Sequence, residues 1–436
     1  MKIAWMVNSI LPRIADKEGI RDGNGGGWCH ELSELLMKDP ETELFVFYPQ
    51  KSSRTVVRGR AGELRYFGFY EEPSPELRYD KALEESLRAV LRELSPDIVH
   101  IWGTEYVHTL CMLRAYGRPE RTVISIQGLI YFIGEKYTEL LPERVIRRHT
   151  FRDLIRKDSI LEQKLKFLKR GEFELAALRE SRNVIGRTRW DHDTVMRVNP
   201  GLKYFHGSEF LRRPFYNGEG WRYSECEKHS VFMSQSYYPV KGMHIALLII
   251  KELKKKYSDV RLYAAGKGMI PHGLKEWLKR DSYSKYICEC IKDYGLEDNI
   301  CFTGSLNAEE MKERYLRSNV YLQPSVMENS SNSLGEAMIL GVPCVASDAG
   351  GTGSMLRDGI DGFLYPFDEP ARAAEYISEL FEAGEAVQDM CESAAEYAGS
   401  LYDINKGYLE YKGIYRELMC CSADDTGGRT DDSGLS

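Results

Sequence analysis

The stretch Glu328-Asn-Ser-Ser-Asn-Ser-Leu-Gly-Glu336-Ala-Met338 predicts a Ser/Asn-rich loop that opens into a helix. It leads into Gly341-Val342-Pro343-Cys344-Val345-Ala346-Ser347, in which the glycine predicts the helix end and the apolar run predicts a buried strand. A helix start offers free backbone N–H groups and a positive dipole end, which suits phosphate. Two carboxylates beside such a start suit a ligand with a phosphate and hydroxyl groups, such as a nucleotide sugar.

A purely structural interpretation fits the same residues. Ser333 and Glu336 have the spacing of a capping box, in which the glutamate satisfies backbone N–H groups at its own helix start. Asn329, Ser330 and Asn332 are ordinary loop and cap residues. Local spacing leaves both interpretations open, so the rest of the chain has to decide.

Composition limits the class of protein. A chain of 436 residues with 43% hydrophobic content has enough apolar residues for two domains. A net charge of -7 argues against general binding of nucleic acid. The ten cysteines form no C-x-x-C pair, which indicates reduced thiols of a cytoplasmic protein. The apolar N-terminus ends at Asn8 and predicts a first strand, and no apolar run approaches the roughly 20 residues that cross a bilayer.

Short apolar runs alternate with helical patterns along most of the chain. This alternation predicts an α/β fold of two Rossmann-like, doubly wound parallel-sheet domains that face a central cleft. The predicted strands are residues 3–7, 44–48, 98–102, 122–126 and 184–185, then 230–234, 260–265, 300–303, 320–323 and 343–347. We predict a first domain at 1–205, a linker at 206–228, a second domain at 229–400, a helix at 401–421 that packs back on the first domain, and a disordered tail at 422–436.

Several residues at predicted strand ends are candidates for ligand contacts. Lys241 precedes a glycine at a predicted helix start, where it can bind a diphosphate or simply be an exposed lysine. The glycines of the first-domain loop let the backbone approach a ligand, although a flexible loop is the alternative: Gly25, Gly26 and Gly27. Gly266 and Gly304 end two strands of the second domain, where they serve tight turns or leave room for a base or ribose.

Residues 143–170 depart from the acidic average, with ten Lys or Arg against four Asp or Glu, interleaved with apolar side chains. This pattern is typical of a basic amphipathic helical region. Two interpretations remain open, a solvated helix packed on the sheet, and a peripheral contact with the inner face of an anionic membrane.

Together these residues resemble the retaining GT-B enzymes of glycosyltransferase family 4, over most of residues 1–400. The E-x7-E motif of that family matches Glu328 and Glu336, followed by Ala-Met and Gly-Val-Pro. The family lysine that contacts the diphosphate matches Lys241, and the glycine-rich first-domain loop matches residues 25–27. The phrase from Glu328 to Met338 is similar to a bacterial branch found among surface-polysaccharide enzymes.

The resemblance implies a GT-B fold and transfer of a sugar from a nucleotide-diphosphate donor to a sugar or lipid-linked saccharide acceptor. It further implies retained anomeric configuration, no cofactor and no essential metal. Glu336 is expected to contact the donor ribose, Glu328 the donor sugar or its reacting face, and Lys241 the leaving diphosphate. Further donor contacts are expected from Ser331, Asn332, Ser333 and Leu334, and acceptor-side contacts from His100, Glu105 and Gln127.

The chain departs from the family pattern at three places. Gln235 or a neighbour stands where an arginine usually precedes the lysine, Gln127 replaces a usual histidine, and Gly353 and Ser354 lie where a glutamate is common. Two other functions share the architecture, a non-hydrolysing nucleotide-sugar epimerase and a catalytically silent GT-B partner subunit. A glycosidase is a poorer interpretation, because its carboxylates must flank the bond about 5–10 Å apart and no pattern here shows that.

Overall fold

The chain folds into two α/β domains. The computed structural model describes residues 1–20, 27–71, 77–266, 268–270 and 273–420. The predicted tail 422–436 and the loop residues Gly25 and Gly26 lie outside the described residues.

The first domain is built on an eight-stranded sheet in the part of the chain that the structure describes. Its strands are β1 Lys2–Met6, β2 Glu43–Gln50, β3 Val57–Ala61, β4 Leu64–Tyr70, β5 Ile98–Trp102, β6 Thr122–Ser125, β7 Asn183–Gly186 and β8 Lys203–His206. Their order is β3-β4-β2-β1-β5-β6-β7-β8, and all neighbours are parallel except β3 and β4.

Both faces of this sheet are covered. Ala4 and Met6 of β1 join one apolar cluster, whereas Ile3 and Trp5 join another on the opposite face. Since successive side chains of a strand point to opposite faces, these two clusters make the domain doubly wound. Its helices are α1 Pro12–Glu18, α2 Gly27–Lys38, α3 Lys81–Leu94, α4 Val107–Tyr116, α5 Ile130–Lys136, α6 Glu143–Ile146, α7 Phe151–Arg156, α8 Ile160–Glu180 and α9 Arg189–Val198.

The second domain has a six-stranded parallel sheet within the described residues. Its strands are β9 Glu227–Met233, β10 Arg261–Ala265, β11 Ile300–Gly304, β12 Ser318–Gln323, β13 Cys344–Ser347 and β14 Phe363–Tyr365, in the order β11-β10-β9-β12-β13-β14. Its helices are α10 Met243–Lys254, α11 Leu274–Leu278, α12 Ser282–Asp293, α13 Ala308–Leu316, α14 Asn332–Ile339, α15 Pro370–Ala383 and α16 Gln388–Leu401. Among the described residues, none of the helices combines the length and the apolar character needed to cross a membrane.

The last helix, α17 Ile404–Cys420, packs against the first domain. Its Tyr415 is fully buried, and the Tyr415 hydroxyl accepts a hydrogen bond from the Trp5 indole at 3.0 Å. Tyr411, Ile414 and Leu418 add to the same apolar cluster. The chain end therefore lies on the first sheet after the second domain is complete.

Each sheet has one point where the strand order reverses, between β1 and β5 in the first and between β9 and β12 in the second. The loops that leave such strands diverge and open a crevice at their carboxyl ends, where ligands of doubly wound folds bind. The candidate site is therefore expected where these two crevices face each other.

The predicted α/β class of two parallel-sheet domains is confirmed. Sequence reasoning missed β3, β4, β8 and β14. β3 contains Gly59 between two arginines, and β8 is a partly exposed edge strand, so neither shows a buried apolar run. β14 has three residues, which is too short for a periodic pattern.

Candidate active site

Two adjoining cavities lie at these carboxyl ends. The larger has a volume of about 640 Å³ and is lined by both domains, whereas the smaller, of about 370 Å³, is lined by the second domain and the connecting segment. Gln235, Asn332 and Ser333 line both. The start of α14 therefore forms the shared wall between the two cavities.

The capping-box interpretation of Glu336 is wrong, because α14 begins at Asn332, with Ser331 as its N-cap. Ser331 is the N-cap, and its hydroxyl accepts a hydrogen bond from the Leu334 backbone N–H at 3.3 Å. Glu336 is the fifth residue of the helix, beyond the position from which a glutamate can reach the cap. Its carboxylate instead lines the smaller cavity.

Glu336 is held by Arg212, a residue of the connecting segment that sequence reasoning did not single out. The Arg212 Nε and Nη2 atoms donate to the two Glu336 carboxylate oxygens, both at 2.7 Å. The Glu336 side chain is 4% exposed, and burial raises the pKa of its carboxyl although Arg212 opposes that rise. The pair fixes the carboxylate in the cavity wall, with lone pairs left for a ligand's hydroxyl groups.

Lys241 and Glu328 form a second ion pair in the larger cavity, at 2.6 Å between Nζ and Oε1. Burial alone would lower the pKa of the Lys241 ammonium, but Glu328 outweighs that effect and raises it. The lysine side chain is 18% exposed, so the interpretation of an ordinary surface lysine is wrong. Gln235, at the position of the missing arginine, lines the same cavity.

Glycines bring the loops that carry this pair close together. Gly242 has φ +74°, and a Cβ there would lie 1.8 Å from the Pro324 carbonyl oxygen. Gly350 has φ +62°, and a Cβ there would lie 2.1 Å from the Glu328 carbonyl oxygen. Gly351 donates its backbone N–H to that same oxygen at 2.8 Å. The Gly350–Gly351 pair therefore braces the loop of Glu328, and the Gly351 amide is not free for a sugar.

Only part of the predicted set of helix-start amides is available. Asn332 and Ser333 are the first two residues of α14, where backbone N–H groups have no intrahelical partner, and both face the cavities. Leu334 is fully buried and donates its N–H to the N-cap, so its prediction as a donor contact is wrong. Ser331 lines the larger cavity, but its N–H is donated to the Met355 sulfur at 3.1 Å.

Of the two predicted strand-end glycines, one lines the smaller cavity and the other does not. Gly266 lines the smaller cavity, and its N–H donates to the Gly304 carbonyl oxygen at 2.9 Å. Gly304 does not itself line that cavity, whereas the next residue, Ser305, does. Gly27 is the first residue of α2.

Two of the three predicted acceptor-side residues lie in the larger cavity, Glu105 and Gln127. The Asn8 Nδ2 atom donates to Glu105 Oε2 at 2.7 Å, and the Asn8 side-chain oxygen Oδ1 contacts His108 Nε2 at 2.9 Å. Burial raises the pKa of the Glu105 carboxyl to about 7, against the hydrogen bond from Asn8. This wall therefore offers a carboxyl group that changes charge near neutral pH.

The prediction for His100 is wrong. His100 is fully buried inside β5, and both ring nitrogens are used, Nδ1 with the Tyr415 hydroxyl and Nε2 with the Ser125 hydroxyl, each at 2.7 Å. Burial lowers the pKa of its imidazole well below the ordinary value. The side chain belongs to the face that α17 covers, and it has no access to the cleft.

Two further arginines line the larger cavity, Arg170 of α8 and Arg187 after β7. Arg187 forms a buried ion pair with Glu209 of the connecting segment, and Arg170 lies over the Tyr106 ring at 5.6 Å. Within the described ranges, no group of three His, Cys, Asp or Glu side chains is placed to hold a metal ion. The cavity thus combines cationic groups and carboxylates, as a ligand with phosphate and hydroxyl groups requires.

Part of the chain is similar to known glycosyltransferases. Residues 224–398 match the family model of glycosyl transferases group 1. The alpha-D-kanosaminyltransferase of Streptomyces kanamyceticus is 24% identical over 178 residues, 41% of this chain and 43% of its own. The N-acetyl-alpha-D-glucosaminyl L-malate synthase of Bacillus anthracis is 27% identical over 143 residues, which cover 33% of this chain and 36% of that protein. The chain thus spans less than half the length of the curated relatives it matches.

Solved structures resemble the whole chain. The sucrose-phosphate synthase of Thermosynechococcus elongatus superposes with a TM-score of 0.66 at 15% identity, covering 97% of this chain and all of that protein. The Anabaena protein HepE, solved in complex with UDP, superposes with a TM-score of 0.62 at 16% identity, over 95% of this chain and 100% of its own. At such low identity the likeness shows the fold alone, which is GT-B.

Proposed function

We propose that this chain, whose residues 224–398 match the family model of glycosyl transferases group 1, is a retaining glycosyltransferase. It moves a sugar from a nucleotide-diphosphate donor to an acceptor hydroxyl, without a cofactor or an essential metal, and serves polysaccharide or glycoconjugate synthesis. The observation that carries the proposal is the shared wall at α14. There, Glu336 faces one cavity, the Lys241–Glu328 pair faces the other, and the free amides of Asn332 and Ser333 lie between them.

The smaller cavity suits the nucleoside. Its lining mixes apolar side chains with Gly266, whose lack of a side chain leaves room for a flat base. Glu336 accepts hydrogen bonds from the ribose hydroxyls while Arg212 holds it in place. The diphosphate then lies at the helix start, where the N–H groups and the positive dipole end favour its charge.

Lys241 stabilises the leaving diphosphate. Without a donor its ammonium is paired with Glu328, and this pairing offsets part of the free-energy cost of burying a cation in the cavity. As the bond between the anomeric carbon and the diphosphate oxygen breaks, negative charge grows on that oxygen, and a fixed cation there lowers the barrier. The acceptor oxygen bonds to the anomeric carbon, and its proton passes to the released phosphate oxygen, so no protein base is required.

The acceptor enters through the first-domain wall of the larger cavity. Glu105 and Gln127 line that wall, and we assign to them hydrogen bonds with acceptor hydroxyls. The acceptor is a saccharide, free or carried on a lipid. The described cysteines are free thiols, which fits a cytoplasmic enzyme acting beside the inner face of the membrane.

A nucleotide panel tests the proposal. Thermal melting is followed with UDP, GDP, ADP, dTDP and CMP for the wild type, for Glu336→Ala, and for Glu297→Ala as a control at an exposed carboxylate that lines neither cavity. Binding to the folded state raises the melting temperature by mass action. A shift with one nucleoside diphosphate, lost in Glu336→Ala and kept in Glu297→Ala, supports the donor site. A cooperatively melting protein that responds to none would overturn it in favour of a silent subunit.

A second measurement separates transfer from epimerisation. NMR of the matching nucleotide sugar with enzyme alone would show a new epimer if the chain is an epimerase. Slow release of free sugar with retained configuration, and no epimer, is expected of a retaining transferase that uses water in place of its acceptor.

A further inference from the structure

Residues 151–165 expose an unusual amount of apolar surface. Large apolar side chains with 39% to 70% of their surface in solvent are concentrated there: Phe151, Leu154, Ile155, Leu161 and Leu165. Three of them share α7 and two share the first turns of α8. A cluster of this kind marks a surface that another body covers.

The way α7 is seated explains the exposure. Thr150 and Asp153 form a capping box, and the fully buried Asp153 carboxylate also accepts the Ser282 backbone N–H of the second domain at 3.1 Å. Just before α7, Arg148 donates two hydrogen bonds to Glu289 at 2.8 and 3.0 Å. An ordinary surface helix buries its apolar face and shows its polar face to water. Here α7 is attached by polar groups and presents its apolar side outward.

Basic side chains surround this apolar surface. Arg147 has 77% of its side chain exposed, and Arg156, Lys157 and Lys169 are exposed as well. Residues 143–170 carry ten Lys or Arg against four Asp or Glu, in a chain whose net charge is -7. A second copy of this acidic chain is a poor electrostatic match, whereas an anionic surface is a good one.

Helix α8 connects this surface to the cleft. Leu161 and Leu165 are four residues apart and lie on one face, while Phe167 and Arg170 of the same helix line the larger cavity. One helix therefore carries both part of the exposed apolar surface and part of the lining of the cavity assigned to the acceptor.

We infer that α7 and the start of α8 dock on an anionic lipid bilayer, with Phe151, Leu154 and Ile155 among the acyl chains and the basic residues at the headgroups. The docking places the larger cavity at headgroup level, so the acceptor is a saccharide whose lipid carrier stays in the membrane. This last step rests on the proposed transfer function, whereas the docking does not. The basic region at 143–170 is not one continuous amphipathic helix, because it is divided among α6, α7 and the start of α8. Val145 and Ile160 of this region are buried, so they are not part of the docking surface.

Vesicle flotation of the full-length chain tests the docking. Vesicles of phosphatidylcholine alone are compared with vesicles that also contain phosphatidylglycerol. The variants are the triple change Phe151→Ser, Leu154→Ser and Ile155→Ser, and the double change Arg156→Glu and Lys157→Glu. Leu409→Ser is the matched control, since Leu409 is 66% exposed on α17. The nucleotide-induced melting shift of every variant is recorded in parallel.

We expect the wild type to float with phosphatidylglycerol vesicles and far less with phosphatidylcholine alone. The triple serine variant should bind at least about a hundredfold more weakly, because three apolar side chains no longer leave water. The charge reversal should weaken binding by about tenfold or more. Leu409→Ser should bind as the wild type, and all variants should keep the nucleotide shift.

Three outcomes would overturn the docking: no flotation of the wild type, equal flotation on both vesicle types, or flotation that Leu409→Ser reduces as much as the triple change. If the wild type does not float and the triple change instead lowers its mass in solution, a second copy covers the surface. A lost nucleotide shift with intact flotation would refute the proposed donor site but leave the docking standing. If the triple variant does not fold, Leu161→Gln with Leu165→Gln carries the same expectation.

Discussion

Removal of Arg212 should destabilise the protein in a strongly pH-dependent way. Arg212→Ala takes both hydrogen bonds from the Glu336 carboxylate and leaves it buried, with 4% of its side chain exposed. A buried carboxylate without a partner carries a desolvation cost, and protonation removes that cost by making the group neutral. From the ordinary value of 4.5, protonation at pH 7 costs about 3 kcal/mol, because each pH unit costs about 1.4 kcal/mol.

The sign of the pH dependence follows from proton uptake. In the variant the folded protein holds a proton on Glu336 that the unfolded chain releases above its ordinary pKa. Burial already raises the pKa of the Glu336 carboxyl in the wild type, so the two folded proteins differ in proton content only above that raised value. There, stability relative to the wild type falls by about 1.4 kcal/mol per pH unit, and the total loss at pH 7 stays below about 3 kcal/mol. Near pH 5 the loss should shrink toward the cost of lost packing, including the contact of the guanidinium with the Phe215 ring at 5.0 Å.

Urea unfolding of wild type and variant at pH 5 and pH 7.5 measures this difference, provided that the m value is unchanged. Arg212→Ala with Glu336→Gln is the matched control, since a neutral amide cannot titrate and the double variant should lose the extra pH slope. An equal loss at both pH values, or a slope that survives Glu336→Gln, would refute the assignment of Arg212 as the partner that keeps Glu336 charged.

Three further outcomes are expected. Lys241→Ala should lower donor turnover by about 10²-fold or more. Adding Glu328→Gln should restore the unfolding free energy, because it removes the carboxylate that Lys241→Ala leaves unpaired, but it should not restore turnover. Near-normal turnover of Lys241→Ala would show that the lysine takes no part in the mechanism. As pH rises from 5 to 8, the unfolding free energy of Glu105→Gln, measured in urea, should increase by about 1–3 kcal/mol relative to that of the wild type. Burial raises the pKa of the Glu105 carboxyl to about 7, so the folded wild type is penalised as the pH rises, whereas the amide does not titrate. A difference in unfolding free energy that does not change with pH would contradict this. Gly242→Ala, with its Cβ 1.8 Å from a carbonyl oxygen, should abolish the nucleotide shift, whereas Gly295→Ala, at φ +63° with open space, should cost only about 1 kcal/mol of unfolding free energy.

The sequence was most informative where the chemistry of a side chain and its position after a strand both indicated a ligand-binding site. Lys241, Glu328 and Glu336 were singled out by spacing and by resemblance, and the structure brings all three to the two adjoining cavities. Arg212 gave no signal, because it lies in a segment without periodic pattern and meets Glu336 only across 124 positions of chain.

The two wrong assignments have a common cause. His100 lies in the strand before the predicted acceptor residues, but a strand alternates its side chains between two faces, and this residue is on the face that α17 covers. Leu334 lies at the right helix start, but its N–H is taken by the N-cap one turn earlier. Which face and which amide are used depends on packing that the local sequence does not specify.

By itself the sequence determined the two parallel-sheet domains, because buried strands and the helices between them impose distinct periods on the apolar residues. It also determined the identity of the charged groups at the second-domain strand ends. Only the tertiary structure decided which charges pair, that α17 returns to the first sheet, and that α7 turns its apolar side to solvent. These features arise from contacts between residues far apart in the chain, and such contacts leave no periodic signature in either partner.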